Sequence, residues 1–365
     1  MKEMKRTDEL AKLEKLGVNI LNQLKELQNP QINIPLRSLS NTYFDEKDQV
    51  LKIGEKTQER TYLNLSNTKK FMQTLLLASA CKDLIKSGKT TSIRDLFYMT
   101  KHTIGKSHEN TFEDQSESDP IIEDLEVTID SLRENLHLFA STRGAMVGNA
   151  TIVDSGDTIN LGTMGSGGWG VPSIVEEDTI EFKKIDANFI LVVEKDAMWR
   201  RLNEDKFWKK HNCILMHGQG MAPRGVRRLL WRLNKELNIP VYIFVDNDPW
   251  GFYIYSVYKQ GSINLAYENK RMAVPAAKFL GLSSYDQDKF NIPSNANIKL
   301  TKTDLGRCKE ILNYSWFQKK SWQKEIKHMM DRGVKLELEA LSKKGLEFTS
   351  ETYLPEKINN KDWLD

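Results

Sequence analysis

From Thr7 to Leu27 the apolar residues Leu10, Leu13, Ile20, Leu21, Leu24 and Leu27 recur at helical spacing among Lys, Glu and Gln, until Asn29 and Pro30 end the pattern. This predicts an amphipathic helix that packs on its own domain or is given to another subunit. Between Thr68 and Ala140 the segments KKFMQTLLLASACKDLIKSG, SIRDLFYMTKHTIG and PIIEDLEVTIDSLRENLHLFAST read as three helices, the arrangement of a helix-turn-helix or winged-helix domain. Asp119 and Pro120 suit the cap and first position of the third helix, with Glu123 and Asp124 near the positive end of its dipole. The Gly-rich run RGAMVGNATIVDSGDTINLGTMGSGGWGVPS predicts short hairpins joining two domains.

From Ile185 onward the pattern changes to short continuous apolar runs (ANFILVVEKD, CILMHGQG, PVYIFVDNDPWG) alternating with amphipathic helices such as RGVRRLLWRLNKELN. Such alternation predicts a doubly wound parallel sheet covered on both faces, so the chain as a whole reads as an α+β and α/β multidomain protein. The expected division is an N-terminal extension over 1–67, a winged-helix (CAP-like) domain over 68–145, a β-hairpin connection over 146–184 and the doubly wound domain with C-terminal helices over 185–365.

Length and composition narrow the function classes. A chain of 365 residues suits two or three cores, and 39% hydrophobic with 28% charged residues excludes a disordered or collagen-like chain. The net charge of +3 permits nucleic acid as a partner without requiring it. Cys81, Cys213 and Cys308 form no CxxC pair, which argues against a zinc ribbon or disulfide framework and for buried thiols in a reducing compartment. No apolar run is long enough to span a bilayer and MKEMKRTDELAKLEKLG has no signal-peptide core, so the expected location is the cytoplasm, at the nucleoid, with no membrane partner. Gly165, Gly167 and Gly170 spell GxGxxG, but Val171 and Pro172 follow where a helix should open, and there is no GxxxxGK[ST] loop, so neither a dinucleotide nor an ATP site is read here.

The chemistry-bearing residues lie where strands end. Ligands gather outside the carboxyl ends of parallel strands, and there Glu194 follows one predicted strand while Asp246 and Asp248 follow another. Converging carboxylates raise one another's pKa unless a cation neutralises them, and hard oxygen donors suit Mg²⁺. The competing reading is that Asp246 and Asp248 shape the DNDPWG turn or cap the next helix. LVVEKDAMWRRL, HGQG and VDNDPWG together resemble the Toprim domain of topoisomerases, primases and related nucleases; the resemblance implies that Glu194, Asp246 and Asp248 are Mg²⁺ ligands.

Upstream, Arg94 and Tyr98 are four residues apart on a predicted helix, which sets guanidinium and phenol on one face. A phenol needs a neighbouring cation or base to attack phosphorus at neutral pH, and Arg94 can supply the charge or grip the phosphate. RDLFYMTK resembles the nucleophile motif of the family of topoisomerase VI A subunits, which includes the eukaryotic meiotic double-strand-break protein, and ENTFEDQSESDPIIEDLEVTIDSLRE resembles its archaeal form. The resemblance runs from about Thr68 onward and implies that Tyr98 is the nucleophile, with Phe97 standing where a second tyrosine often does. It further implies an ATP-dependent type IIB enzyme that makes double-strand breaks with 5′-phosphotyrosyl links, relaxing and decatenating DNA. The implied assembly is a homodimer in which the tyrosine of one protomer works with the metal site of the other, joined to a GHKL-type ATPase B subunit in an A2B2 complex. The alternative is a Toprim-type nuclease or primase-like enzyme without a covalent intermediate. Candidate contacts to double-stranded DNA are Lys101, Arg143, Lys195, His217 and Arg224, with further cations at Lys82, Lys86, Lys89, Lys106, Arg227, Arg228 and Arg232.

Overall fold

The computed structural model describes residues 2–365, with side chains from residue 7 onward. The chain divides into two compact units: residues 1–42 with 53–141, and residues 43–52 with 142–365.

The first unit holds α1 (Lys2–Lys25), β1 (Gln31–Pro35), β2 (Thr57–Thr61), α2 (Thr68–Ser87), α3 (Ile93–Thr100) and α4 (Gln115–Thr128). In α1 the predicted apolar stripe divides: Leu13 and Ile20, seven residues apart, are buried, whereas Leu21 and Leu24 near its C-terminal end are exposed, as is Leu27 just beyond it. Leu13 joins Leu77, Cys81, Ile85, Leu96, Phe97, Ile122 and Leu125 in one core shared by α1 to α4, while Ile20 meets Ile32 and Ile34 of β1. β1 and β2 pair antiparallel, Gln31 opposite Thr61. Gly88, at φ 67°, ends α2 in the left-handed conformation that a glycine adopts without a Cβ clash.

The third helix departs from expectation at both ends. It begins at Gln115, because Asp114 Oδ1 accepts from the Ser116 N–H (2.8 Å) and so serves as the cap. Pro120 sits inside the helix, where it forfeits a single early backbone bond. The helix ends at Thr128, and Asp130 and His137 adopt positive φ in the turns that replace its expected continuation. Its acids face inward: Asp124 accepts from Arg37 Nε (2.9 Å) and pairs with Arg60, and Glu126 accepts from the Arg133 N–H (2.7 Å). Asp124→Asn halves the partnership of two largely buried guanidiniums. It is expected to cost about 3 kcal/mol, measured as a lowered denaturation midpoint.

The second unit is built on a six-stranded sheet. Its strands are β3 (Ala145–Gly148), β6 (Trp169–Gly170), β8 (Phe189–Val193), β9 (Cys213–His217), β10 (Val241–Phe244) and β11 (Lys278–Gly281); β4 (Ala150–Asp154), β5 (Asp157–Asn160) and β7 (Ile180–Ile185) form a separate three-stranded sheet. The six run in the order β6-β3-β9-β8-β10-β11. β9, β8, β10 and β11 are mutually parallel, whereas β3 runs antiparallel to both of its neighbours, β9 and β6, so the expected all-parallel sheet is mixed. The Gly-rich run is accordingly more than a connection, because it contributes two strands of the main sheet. Its GxGxxG letters open no helix: Gly168 turns at φ 67° into β6.

Side chains alternate across this sheet between two cores. Ile190, Val192, Ile214 and Met216 face one; Phe189, Leu191, Val193, Cys213 and Leu215 face the other. Burial on both faces explains why these strands read as unbroken apolar runs. The covering helices are α5 (Asp196–Glu204), α6 (Arg224–Leu237), α7 (Pro249–Lys259), α8 (Lys302–Leu312) and α9 (Lys320–Arg332). All three cysteines are buried free thiols. Among the described residues no helix is long and apolar enough to cross a membrane.

Candidate active-site residues

In the second unit the parallel register sets Val193 beside Phe244, so Glu194 and the segment after Phe244 leave the sheet side by side. The Glu194 N–H donates to the Phe244 carbonyl (2.9 Å), and Glu194 Oε2 accepts from the Asp246 N–H (3.0 Å). Asp246 is 6% exposed; its Oδ1 accepts from the Leu338 N–H (2.8 Å) and its Oδ2 lies 3.0 Å from Lys195 Nζ. Asp248 Oδ1 accepts from the Gly251 N–H and caps α7. The cap reading of Asp248 is thus realised through its Oδ1.

Burial together with the Asp246 charge pushes the Glu194 carboxyl up to about 7, against the pull of the Asp246 N–H. Burial likewise lifts Asp246 to about 6, opposed by the Leu338 N–H and Lys195, and raises Asp248. These are hard oxygen donors held in mutual repulsion at a strand end, a set whose chemistry suits a divalent cation. Among the described residues, however, no three Asp, Glu, His or Cys side chains stand close enough to cage an ion as they are oriented.

The loop carrying the acids is framed from far along the chain. Asn247 and Leu336 exchange both backbone hydrogen bonds (2.9 and 3.1 Å), and the Asn247 side chain reaches Glu325 of α9 (3.4 Å). Glu325, buried and raised by that burial, also accepts from Ser283 Oγ (2.8 Å) and the Ser284 N–H. Gly251 completes the turn, since a Cβ there would stand 2.2 Å from the Asp246 carbonyl oxygen. Gly251→Ala is expected to lower stability by roughly 2–3 kcal/mol in chemical denaturation, because backbone must shift to admit it.

In the first unit α3 is capped by Ser92, whose Oγ accepts from the Asp95 N–H (2.9 Å). Phe97 is 5% exposed and packs in the core; Tyr98, the next residue, is 59% exposed. Arg94 is also exposed, and Arg94, Phe97, Tyr98, Lys101, Glu113, Asp114 and Gln115 line one shallow concavity. Lys101 is turned to the Glu113 carbonyl (2.7 Å).

Comparison with known families agrees with both halves. The family described as the Toprim domain of Spo11 and of the topoisomerase 6 A subunits matches residues 189–358, and that described as "Type IIB DNA topoisomerase" matches residues 69–138. The chain is 46% identical to the A subunit of Type 2 DNA topoisomerase 6 from Pyrococcus abyssi over 359 residues, covering 96% of this chain and 93% of that one. It is 43% identical to the protein of that name from Hyperthermus butylicus (95% and 93% covered) and 33% identical to that from Methanocaldococcus jannaschii (99% and 98%). The chain belongs to the family of topoisomerase 6 A subunits. It is therefore an enzyme of the type IIB DNA topoisomerases, and its second unit carries a Toprim domain.

Within this topoisomerase subunit the expected DNA contacts separate sharply. Arg143 is exposed. His217 is 2% exposed, its ring tilted against Trp199 with Nε2 3.4 Å from Asp196, and burial lowers its pKa. Arg224 is committed to Glu268 (2.7 Å), Arg228 to Glu176 (2.8 Å), and Arg227 and Arg232 are buried, so the arginine face of α6 holds the domain together. Lys82 and Lys86 both lie 3.6 Å from Glu14. Lys195 is held by Asp246, Glu337 (3.1 Å) and Glu339 (2.8 Å). Sequence reading missed Glu325, Glu337 and Glu339. The alternation in VKLELEAL was the available signal, because it buries Leu336 and Leu338 and turns the acids to the other side.

Proposed function

We propose that this chain is the DNA-cleaving subunit of an ATP-dependent type IIB topoisomerase, with Tyr98 as nucleophile and Glu194, Asp246 and Asp248 as the residues that hold Mg²⁺. The observation that carries the reading is the contrast on α3: Phe97 is spent on the core, while Tyr98 stands in solvent beside exposed Arg94. Attack forms a Tyr98 Oη–phosphorus bond as the bond from phosphorus to the 3′ oxygen breaks; the phenol loses its proton and the 3′ oxygen takes one up. The DNA 5′ end then remains on the tyrosine, and the reverse reaction reseals it without an external energy source. Arg94 grips the phosphate and offsets charge on the phenolate. A divalent ion, when bound, would stabilise charge on the phosphoryl oxygens.

We read the first unit as a winged-helix domain, supported by α2, α3 and α4 packed together with α1 about one core and by a flanking antiparallel pair. Breaking and resealing both strands requires two tyrosines, which supports a homodimer. Strand passage would be driven by ATP on a GHKL-type B subunit in an A2B2 assembly. The test is to incubate the full chain and its ATPase partner with supercoiled DNA and Mg²⁺, denature, and assay protein bound to 5′ ends. An adduct lost in Tyr98→Phe supports the reading; cleavage unchanged in that variant would favour a water-driven Toprim nuclease.

A further inference from the structure

The Lys195 ammonium is surrounded by three carboxylates of unlike burial. Asp246, at 3.0 Å, is buried and proposed above as an ion ligand; Glu337 and Glu339, at 3.1 and 2.8 Å, have side chains that are half exposed. Lys195 is the residue after Glu194, and Glu337 and Glu339 flank Leu338, whose N–H holds the other oxygen of Asp246. One cation is thus shared between the acid that binds the metal and two acids on a neighbouring segment. Two positive charges cannot both sit against a single carboxylate oxygen without strong repulsion.

We infer that Lys195 is a built-in counter-ion that competes with the divalent ion for Asp246, and that Glu337 and Glu339 are the seat that receives its ammonium when the ion binds. This rests on the reading of Asp246 as a metal ligand. In the absence of metal, Lys195 neutralises Asp246 and holds the strand-end loop together. When a dication arrives, the lysine need only release Asp246, because two further carboxylates already hold it. Lys195 is on this account a positioning residue that sets metal affinity, and its ammonium is spoken for rather than offered to DNA phosphate.

The two sides of the contact act with opposite sign. Lys195→Met removes the competitor and is expected to tighten Mn²⁺ binding to the full-length, DNA-free protein roughly tenfold, read by calorimetry or by loss of the free-ion paramagnetic signal. Lys195→Arg keeps the charge and should bind as the wild type does. Glu337→Gln/Glu339→Gln leaves Lys195 with Asp246 alone and is expected to weaken Mn²⁺ binding several-fold. Placed in the Lys195→Met background, the same pair of changes should alter affinity less than about twofold, since exposed charges on their own are screened. Unchanged or weaker binding in Lys195→Met, or an equal loss from the glutamine pair with and without Lys195, would overturn the inference. Because the glutamine pair alters exposed side chains, it still decides the matter should Lys195→Met fail to fold. Wild-type protein that binds no Mn²⁺, or binding indifferent to Asp246→Asn, would overturn the metal assignment itself and this inference with it.

Discussion

Tyr98→Phe is expected to abolish the covalent protein–DNA adduct and to reduce supercoil relaxation by at least three to four orders of magnitude, while leaving the folded protein intact. The magnitude follows from deleting the atom proposed to bond phosphorus, a loss that neighbouring groups would not restore. The intact fold follows from position: the ring is 59% exposed and packs edge-on against Phe97, and phenylalanine preserves that contact. Surface changes of this kind stay within about 0.5 kcal/mol, so the denaturation curve of the variant should superimpose on that of the wild type. The reverse experiment sharpens the point. Phe97→Ala should unfold or strongly destabilise the first unit, by about 3–4 kcal/mol, because it hollows the core under α3.

Glu194→Gln is expected to eliminate DNA cleavage yet to stabilise the metal-free protein at alkaline pH. The folded carboxyl is pushed up to about 7 by burial and by Asp246, from an ordinary value of 4.5. Between these values the native state binds more protons than the unfolded chain, so stability is full below about pH 4.5 and is lost as pH rises through 7. Glutamine can still accept from the Asp246 N–H but carries no charge to desolvate. In EDTA at pH 8 the variant should therefore be the more stable protein by on the order of 2–3 kcal/mol at most, with the difference fading toward pH 4.5. Adding Mg²⁺ should raise the melting temperature of the wild type and leave that of the variant where it was. A wild type no less stable at pH 8 than the variant would show that the acids are not held in repulsion.

The parts of this protein written in local pattern were legible, and those written in distant contacts were not. Three of the four parallel strands follow from continuous apolar runs, and Glu194, Asp246 and Asp248 follow from where two of those runs stop, whereas β11 carries too short a run to stand out. The split between Phe97 and Tyr98 is visible only once α3 is set against its core, since both residues lie in one apolar run of the sequence. The partners of the α6 arginines were not legible, because a cationic helix face looks the same in sequence whether or not it meets carboxylates such as Glu176 and Glu268. Pro120 drew the third helix to a false start, although Asp114 was an equally good cap six residues earlier. That β3 joins the main sheet depended on pairing Gly148 with Ile214 far along the chain, and β6 enters only through β3, a chain of contacts that no short window contains.

The clasp between Asn247 and Leu336, with Leu338 on Asp246, has a consequence for biosynthesis. A ribosome releases Asp246 and Asp248 some ninety residues before the segment that orients them, so a polypeptide that stops short of Leu336 has these carboxylates without their scaffold. The loop can take its shape only once residues 336–338 have been made, and until then Asp246 lacks the N–H that holds it.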